Sequence, residues 1–212
     1  MSIPAKSKYV MQTRPGARAG LTLFCSPANF GSLWTRIVLT EKDVDHARTE
    51  WVKPSTKPHP DLMVLNPTLS LPTLADRDAV IYPAGIICEY LDERYPHPRL
   101  TPQDPAARAL LRMMITRMEQ ELLPVAQAII DAPRAPTAKA LRKQLSDSLT
   151  ASSSYFPQRG WCLGLDFNLA DCAWGALLSQ LSALQIKLPT DPLLLRYAER
   201  VLARPSIQAC LR

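Results

Sequence analysis

Three side chains near the end of the first predicted strand could act as nucleophiles: Cys25, Ser26 and Ser32. A thiol reacts as its thiolate and a hydroxyl needs an adjacent base, so the surroundings would have to activate either group. Serine is also common in turns and at the N-termini of helices. The simpler interpretation is that these residues end the strand and begin a helix.

The five cysteines, at positions 25, 88, 162, 172 and 210, are odd in number and show no Cys-x-x-Cys spacing. This pattern disfavours a disulfide scaffold and a structural zinc site, and it favours a reducing cytoplasm. Cys88, Cys162 and Cys172 stand among apolar residues, so we expect them to be buried. His46 and His59 have no ligand spacing with any Cys or Asp. We therefore predict no metal site and no cofactor.

The third histidine belongs to the segment Tyr95-Pro96-His97-Pro98, which follows a helix predicted to end at Arg94. The flanking prolines exclude helix and hold the segment extended. A stiff, exposed segment loses little entropy on binding, which suits a recognition surface. Prolines after a helix are also ordinary stop signals, so both interpretations stay open. No nucleophile or carboxylate pair is predicted near His97, and we expect no catalytic role for it.

The elements that must position these residues read as β-α-β, then a hairpin and a helix. Strands are predicted at 21–24, 47–52, 73–75 and 80–82, with a helix at 32–42 and a loop at 53–60. Pro72 directly precedes the third strand, where proline removes a ladder donor. A cis bond at Pro72 would turn the chain into the strand and leave the Leu71 backbone unpaired. Pro83 suits the first turn of the next helix.

After a proline-rich linker at 100–105 the pattern changes to long helices. Apolar residues from Leu111 to Ile129 follow helical spacing, and Pro124 should kink that helix. Another helix is predicted at 137–153. Asn168 is expected to cap the next helix at the amide of Asp171, whose carboxylate suits the helix dipole. The predicted organisation is a tail at 1–20, an α/β domain at 21–99 and an all-helical domain at 105–212.

Charge is concentrated at the N-terminus. Of the net charge of +6, residues 1–20 supply four positive charges and no negative one. We interpret them as a flexible basic arm rather than a targeting signal. The near-neutral remainder argues against direct nucleic-acid binding. No run approaches the roughly 18 apolar residues of a spanning helix, so no membrane insertion is expected.

Three segments read RIVLTEK at 36–42, LPTL at 71–74 and EYLDERYPHP at 89–98, and FNLADC at 167–172 is a weaker fourth. They resemble the glutathione-transferase superfamily and, more narrowly, its stringent starvation protein family, whose members associate with RNA polymerase. The second is shared by most transferase relatives, whereas the third is much narrower. The resemblance covers roughly residue 21 to the C-terminus. It implies a thioredoxin-like N-terminal domain followed by an all-helical, transferase-type C-terminal domain.

The resemblance also locates a glutathione pocket. The superfamily stabilises the glutathione thiolate with a Tyr on the first strand, or with a Ser or Cys before the first helix. It holds the γ-glutamyl carboxylate with an acid or amide and then a Ser at the third helix. The matching positions are Phe24, Asn29 and Pro83-Ala84, which lack these groups, although the starvation protein family usually has Glu-Ser at the last pair. With only the backbone at Leu71-Pro72 left, we predict a vestigial pocket and no catalytic residue.

The partners implied by the resemblance are RNA polymerase, as the sigma-containing holoenzyme contacted through Tyr95–Pro98, and a second copy in a homodimer. The leading hypothesis is a non-catalytic transcription regulator of the starvation response. One alternative is a glutathione-dependent transferase or thiol reductase that uses Cys25, Ser32 or Asn29. Another is a structural binding module without either activity.

Overall fold

The computed structural model describes residues 20–53 and 59–211, so the predicted basic arm lies outside the described residues apart from Gly20. A four-stranded sheet forms the centre of the N-terminal half. Its strands follow the order β2-β1-β3-β4. β1 runs parallel to β2 and antiparallel to β3, and β3 forms a hairpin with β4. The strands are β1 (Leu21–Cys25), β2 (Arg48–Trp51), β3 (Thr73–Asp76) and β4 (Ala79–Ile81).

Helices flank the sheet and make up the whole C-terminal half. The N-terminal helices are α1 (Phe30–Glu41), α2 (Pro60–Leu65) and α3 (Ala84–Arg94). The predicted fold class is therefore confirmed. No helix in the described ranges has the length and hydrophobicity of a bilayer span. The C-terminal helices are α4 (Pro105–Arg117), α5 (Leu123–Asp131), α6 (Ala138–Ala151), α7 (Leu169–Leu178), α8 (Pro192–Leu202) and α9 (Pro205–Cys210).

Two local predictions need correction. Pro60 begins α2 instead of ending a loop, because a proline is tolerated at the first helical position, where its missing N–H costs nothing; positions 54–58 of that loop lie outside the described residues. The helix predicted across 111–129 is divided into α4 and α5 by a π-helical turn at Met118–Leu122. This turn directly precedes the predicted kink at Pro124, which cannot donate a main-chain hydrogen bond.

Strand β1 is buried on both faces, and its alternate side chains enter two apolar clusters. Leu23 and Cys25 belong to the main core, which continues from the sheet into the C-terminal helices. Phe24 points to the opposite face, where it packs with Leu62 and Ala75. α2 therefore covers the second face of the sheet through Leu62. The main core continues across the predicted linker at 100–105, so it does not mark a boundary there. The predicted domain limits therefore stay a prediction.

Helix α1 passes through the centre of the molecule and packs against both α3 and α7. Its side chains Trp34, Ile37 and Val38 are fully buried. The indole Nε1 of Trp34 donates to the Leu169 carbonyl of α7 at 3.2 Å. Helix α1 is thus held on several sides, and each of its ends has a fixed position.

The predicted cap of the later helix forms at the start of α7 as a capping box. Asn168 Oδ1 accepts from the Ala170 amide at 2.9 Å. The Asp171 carboxylate accepts from the amides of Asn168 (2.9 Å) and Cys162 (2.8 Å) and from the Tyr197 hydroxyl (2.7 Å). Burial raises the pKa of Asp171 to about 7. Asn168 and Asp171 therefore stabilise the fold, because they fix the start of a fully buried helix.

Candidate functional site

The residues of the predicted glutathione pocket meet where α1 and α3 begin, a place we call the cleft. Asn29 is the N-cap of α1, and Pro83 is the N-cap of α3. The Leu71–Pro72 peptide bond is cis. A Cβ atom added to Gly31 of α1 would lie 3.0 Å from Pro72 Cδ and 3.2 Å from Ala84 Cβ. The cleft is therefore closely packed at this point.

The polar side chains at the start of α1 bond to one another. Asn29 Oδ1 accepts from both the amide (2.8 Å) and the hydroxyl (2.9 Å) of Ser32. Ser32 Oγ in turn accepts from the Ser26 amide at 3.1 Å. Ser32 is fully buried. These contacts satisfy a turn and a helix cap, so neither residue is arranged as a nucleophile beside a base.

The thiol of Cys25 lies at the end of the strand that leads to the cleft. Cys25 is fully buried at the end of β1. Burial raises the pKa of its thiol to about 11, against a smaller lowering by Arg36. A thiolate is the reactive form of cysteine, and this thiol stays protonated at neutral pH. Phe24, in the position of the superfamily tyrosine, is also fully buried and has no hydroxyl.

A carboxylate of the chain itself occupies the N-terminus of α3. The Gly85 amide donates to Glu119 Oε1 at 2.7 Å. Glu119 is half-buried in the π-helical turn of the C-terminal half. Burial raises its pKa, the Gly85 hydrogen bond lowers it, and Glu89 adds a smaller increase. The free amides of a helix N-terminus attract anions, and here the anion is internal.

Gln127 of α5 fixes the loop before α1 from the other side. Its Oε1 accepts from the Phe30 amide at 3.2 Å, and its Nε2 donates to the Ala28 carbonyl at 2.9 Å. A cavity of about 210 Å³ lies beside this clamp, between Asn29 and Ile130. The side chains of Asn29, Ser32, Glu119 and Gln127 around the cleft therefore already have internal partners.

The segment Tyr95–Pro98, which we call the docking segment after the role predicted for it, lies at the opposite ends of α1 and α3. Pro96, His97 and Pro98 are exposed, and Tyr95 is half-buried. Lys42, the C-cap of α1, donates from Nζ to Asp92 Oδ1, to the Tyr95 carbonyl at 2.9 Å and to the Pro98 carbonyl. The sequence did not predict this contact. It also did not predict that the His97–Pro98 bond is cis.

Two cavities flank the docking segment. The smaller, about 280 Å³, is lined by Pro96, Glu93 and Arg112 among others. The larger, about 710 Å³, lies between Pro98 and the exposed Leu165. Arg99 is exposed and lines both cavities. The docking segment is thus a ridge between two depressions, a shape that offers contact on both sides.

Known proteins match both the fold and the sequence. The family model "Glutathione S-transferase, N-terminal domain" matches residues 32–94. A stringent starvation protein A homolog from Pasteurella multocida is 39% identical over 176 residues, 83% of this chain and 82% of that protein. One from Histophilus somni is 37% identical over 198 residues, 92% of each chain. The chain belongs to the stringent starvation protein A family. This membership agrees with the narrow resemblance of residues 89–98.

The fold of this stringent starvation protein A family member also occurs in solved transferases. The theta class glutathione S-transferase from Xanthomonas axonopodis pv. citri, solved with glutathione bound, superimposes with a TM-score of 0.78 at 23% identity. The match covers 90% of this chain and 96% of that one. It establishes the common fold. In the family member described here, the cleft side chains are Asn29, Pro83 and Ala84, and Glu119 contacts Gly85.

Three residues that organise these places were missed from the sequence: Lys42, Glu119 and Gln127. Each acts over a long separation, 50 residues for Lys42 and Asp92 and 34 for Gly85 and Glu119. A lysine at a helix end and a glutamate within a helical pattern are normally solvent-exposed, and the sequence carries no signal to the contrary. No set of three or more His, Cys, Asp or Glu side chains within 20–53 and 59–211 is placed to hold a metal ion.

Proposed function

We propose that this protein is a non-catalytic transcription regulator that docks on the sigma-containing RNA polymerase holoenzyme through Tyr95–Pro98. One observation carries the proposal: the exposed segment Pro96-His97-Pro98 is hydrogen-bonded through the carbonyl groups of Tyr95 and Pro98 to the buried Lys42. A surface already ordered before binding loses little entropy when a partner arrives. Support for this partner comes from family membership, because the members of this family are expected to associate with RNA polymerase. The proposal implies action in the cytoplasm, without direct contacts to nucleic acid.

Capture by immobilised holoenzyme tests this function. The native chain is expected to be retained, and His97→Ala is expected to be lost from the bound fraction, since His97 is exposed at the centre of the ridge. Lys139→Ala, an exposed change on α6 outside the docking segment, is the matched control and should be retained like the native chain. Failure of the immobilised holoenzyme to retain the native chain would refute the proposal.

The proposal also includes the absence of glutathione chemistry. Support comes from the cleft, where Pro83 and Ala84 replace polar ligands and Glu119 already bonds to Gly85. Losing two hydrogen bonds to a charged group should weaken tripeptide binding by about 10²-fold or more. The native chain should pass through a glutathione resin and should not conjugate chlorodinitrobenzene. Retention that is released by free glutathione would overturn this part.

A homodimer is the second expected assembly. Ile86 of α3 and Leu110 and Met113 of α4 are all more than half exposed. These two helices are neighbours, joined by the Arg112–Glu89 ion pair with Nε 2.9 Å from Oε1. Exposed apolar side chains on adjacent helices suit a contact with a second copy. Sedimentation should give twice the monomer mass, and Met113→Glu should shift the protein toward monomer.

A further inference from the structure

The side chain of Lys42 is completely buried, which is rare for a lysine. Its side chain is 0% exposed, and that of Asp92 is 6% exposed. The ammonium group has three N–H donors, and three acceptors face it: Asp92 Oδ1 and the carbonyl oxygens of Tyr95 and Pro98. Every donor of the buried charge therefore has a partner.

The two carbonyl partners lie at the two ends of the docking segment. Pro96 and Pro98 have no amide hydrogen, so the segment cannot be fixed by regularly paired main-chain bonds. The same Asp92 oxygen that binds Lys42 also accepts from the Leu100 amide at 2.8 Å. Lys42 and Asp92 thus hold the chain at three points. These are Tyr95 before the exposed Pro96-His97 tip, Pro98 directly after it, and Leu100 beyond.

We propose that Lys42 is the positioning residue of the docking segment: it fixes the backbone at Tyr95 and Pro98 so that Pro96 and His97 face the partner. This inference rests on the proposed function and adds the device on which recognition depends. A buried ion pair seldom adds stability over apolar residues of similar volume, so stability alone is a poor reason for its presence. Holding a short exposed loop in one shape is a reason that fits its contacts.

The test uses a double variant, Lys42→Met with Asp92→Asn. Methionine keeps most of the length of lysine, and asparagine keeps an oxygen for the Leu100 amide, so no unpaired charge stays buried. The clamp on the Tyr95 and Pro98 carbonyls is weakened at the same time. Leu149→Ala is the control, because Leu149 is fully buried in α6 and its truncation destabilises the protein away from this contact. Melting temperature and circular dichroism establish that both variants are folded.

Two measurements are made on the native chain and both variants: hydrogen exchange at the amides of Tyr95 and Leu100, which donate to the Leu91 carbonyl and to Asp92 Oδ1, and capture by immobilised holoenzyme. In the double variant, exchange at these two amides should rise by about tenfold or more, as local opening becomes easier, and capture should fall to the level of His97→Ala. Leu149→Ala should leave both unchanged. Unchanged exchange in the double variant, or faster exchange with native capture, would overturn the role of Lys42. Failure of the native chain to be captured would instead refute the proposed function, and the exchange data would still decide whether Lys42 orders the segment.

Discussion

Helices α1 and α3 lie side by side and both run from the cleft to the docking segment, so their two ends can be compared directly. At the cleft, side chains bond to the helix starts: Asn29 to Ser32, and Glu119 to Gly85. At the other end, Lys42 binds the loop backbone from inside and leaves His97 exposed. At both ends these polar side chains are already bonded within the chain, so the two ends differ in what stays exposed, which at the far end is Pro96, His97 and Pro98.

The largest expected effect is the loss of the charge that balances Asp92. Lys42→Met alone should cost about 3–5 kcal/mol of unfolding free energy, because it leaves a carboxylate buried without its cation. Lys143→Met is the matched control: its partner Asp147 and Lys143 itself are both more than half exposed, and the change should cost about 0–1 kcal/mol. Urea unfolding measures both. Equal, small effects would mean that the docking end does not depend on its buried pair.

The second prediction concerns the cleft. With a pKa of about 11, Cys25 should hold roughly 300-fold less thiolate at neutral pH than a free cysteine thiol. Its alkylation by iodoacetamide at pH 7.5, followed by mass spectrometry, should be correspondingly slow, and burial should slow it further. Modification at the rate of a free thiol would restore the enzyme alternative and remove the contrast between the two ends.

Asn29→Ala should have a smaller effect, about 1 kcal/mol of unfolding free energy, because it deletes the N-cap of α1. Asn29→Ser should retain most of the stability, since serine is also a good cap. Both variants should bind polymerase like the native chain. A loss of binding at native stability would show that the two ends of α1 are not independent.

The smallest effect is a pH dependence at the cleft, where the Glu119 carboxyl group bonds to the Gly85 amide and has a raised pKa, chiefly through burial. A raised folded-state pKa contributes stability that is fully present below the unfolded value and is lost as pH rises through the folded value. The native chain should therefore lose stability relative to Glu119→Gln as the pH rises above about 4. Denaturant titrations of both at pH 5 and pH 7.5 measure this difference.

The comparison of the native chain with Glu119→Gln removes the pH dependence that both proteins owe to Asp171. Asp171, with a pKa of about 7, weakens the fold over the same pH range in both proteins, so its contribution cancels in the difference. If the native chain instead gained stability relative to Glu119→Gln as the pH rose, Glu119 would be stabilised as the carboxylate. The amide contact would then outweigh burial.

Most of the secondary structure follows from local signals. The short strand β1, the hairpin of β3 and β4, the proline at the start of α3 and the Asn168 cap are each decided within a few residues. The short helix α2 was missed because its start, Pro60, follows a run rich in prolines, a composition typical of loops. The π-helical turn before Pro124 was missed because its residues follow the same apolar spacing as an α-helix, and the kink alone was predictable.

The sequence by itself determined the fold class, the family and the exposure of a histidine between prolines, because these depend on periodicity, on proline geometry and on the residue types present. Only the tertiary structure decided the fate of the polar groups. Whether Lys42 holds the docking segment, and whether Glu119 covers the start of α3, depends on atoms brought together from positions 50 and 34 residues apart. Neither charge carries a local mark of its partner, since burial is a property of the packed molecule and not of the neighbouring residues.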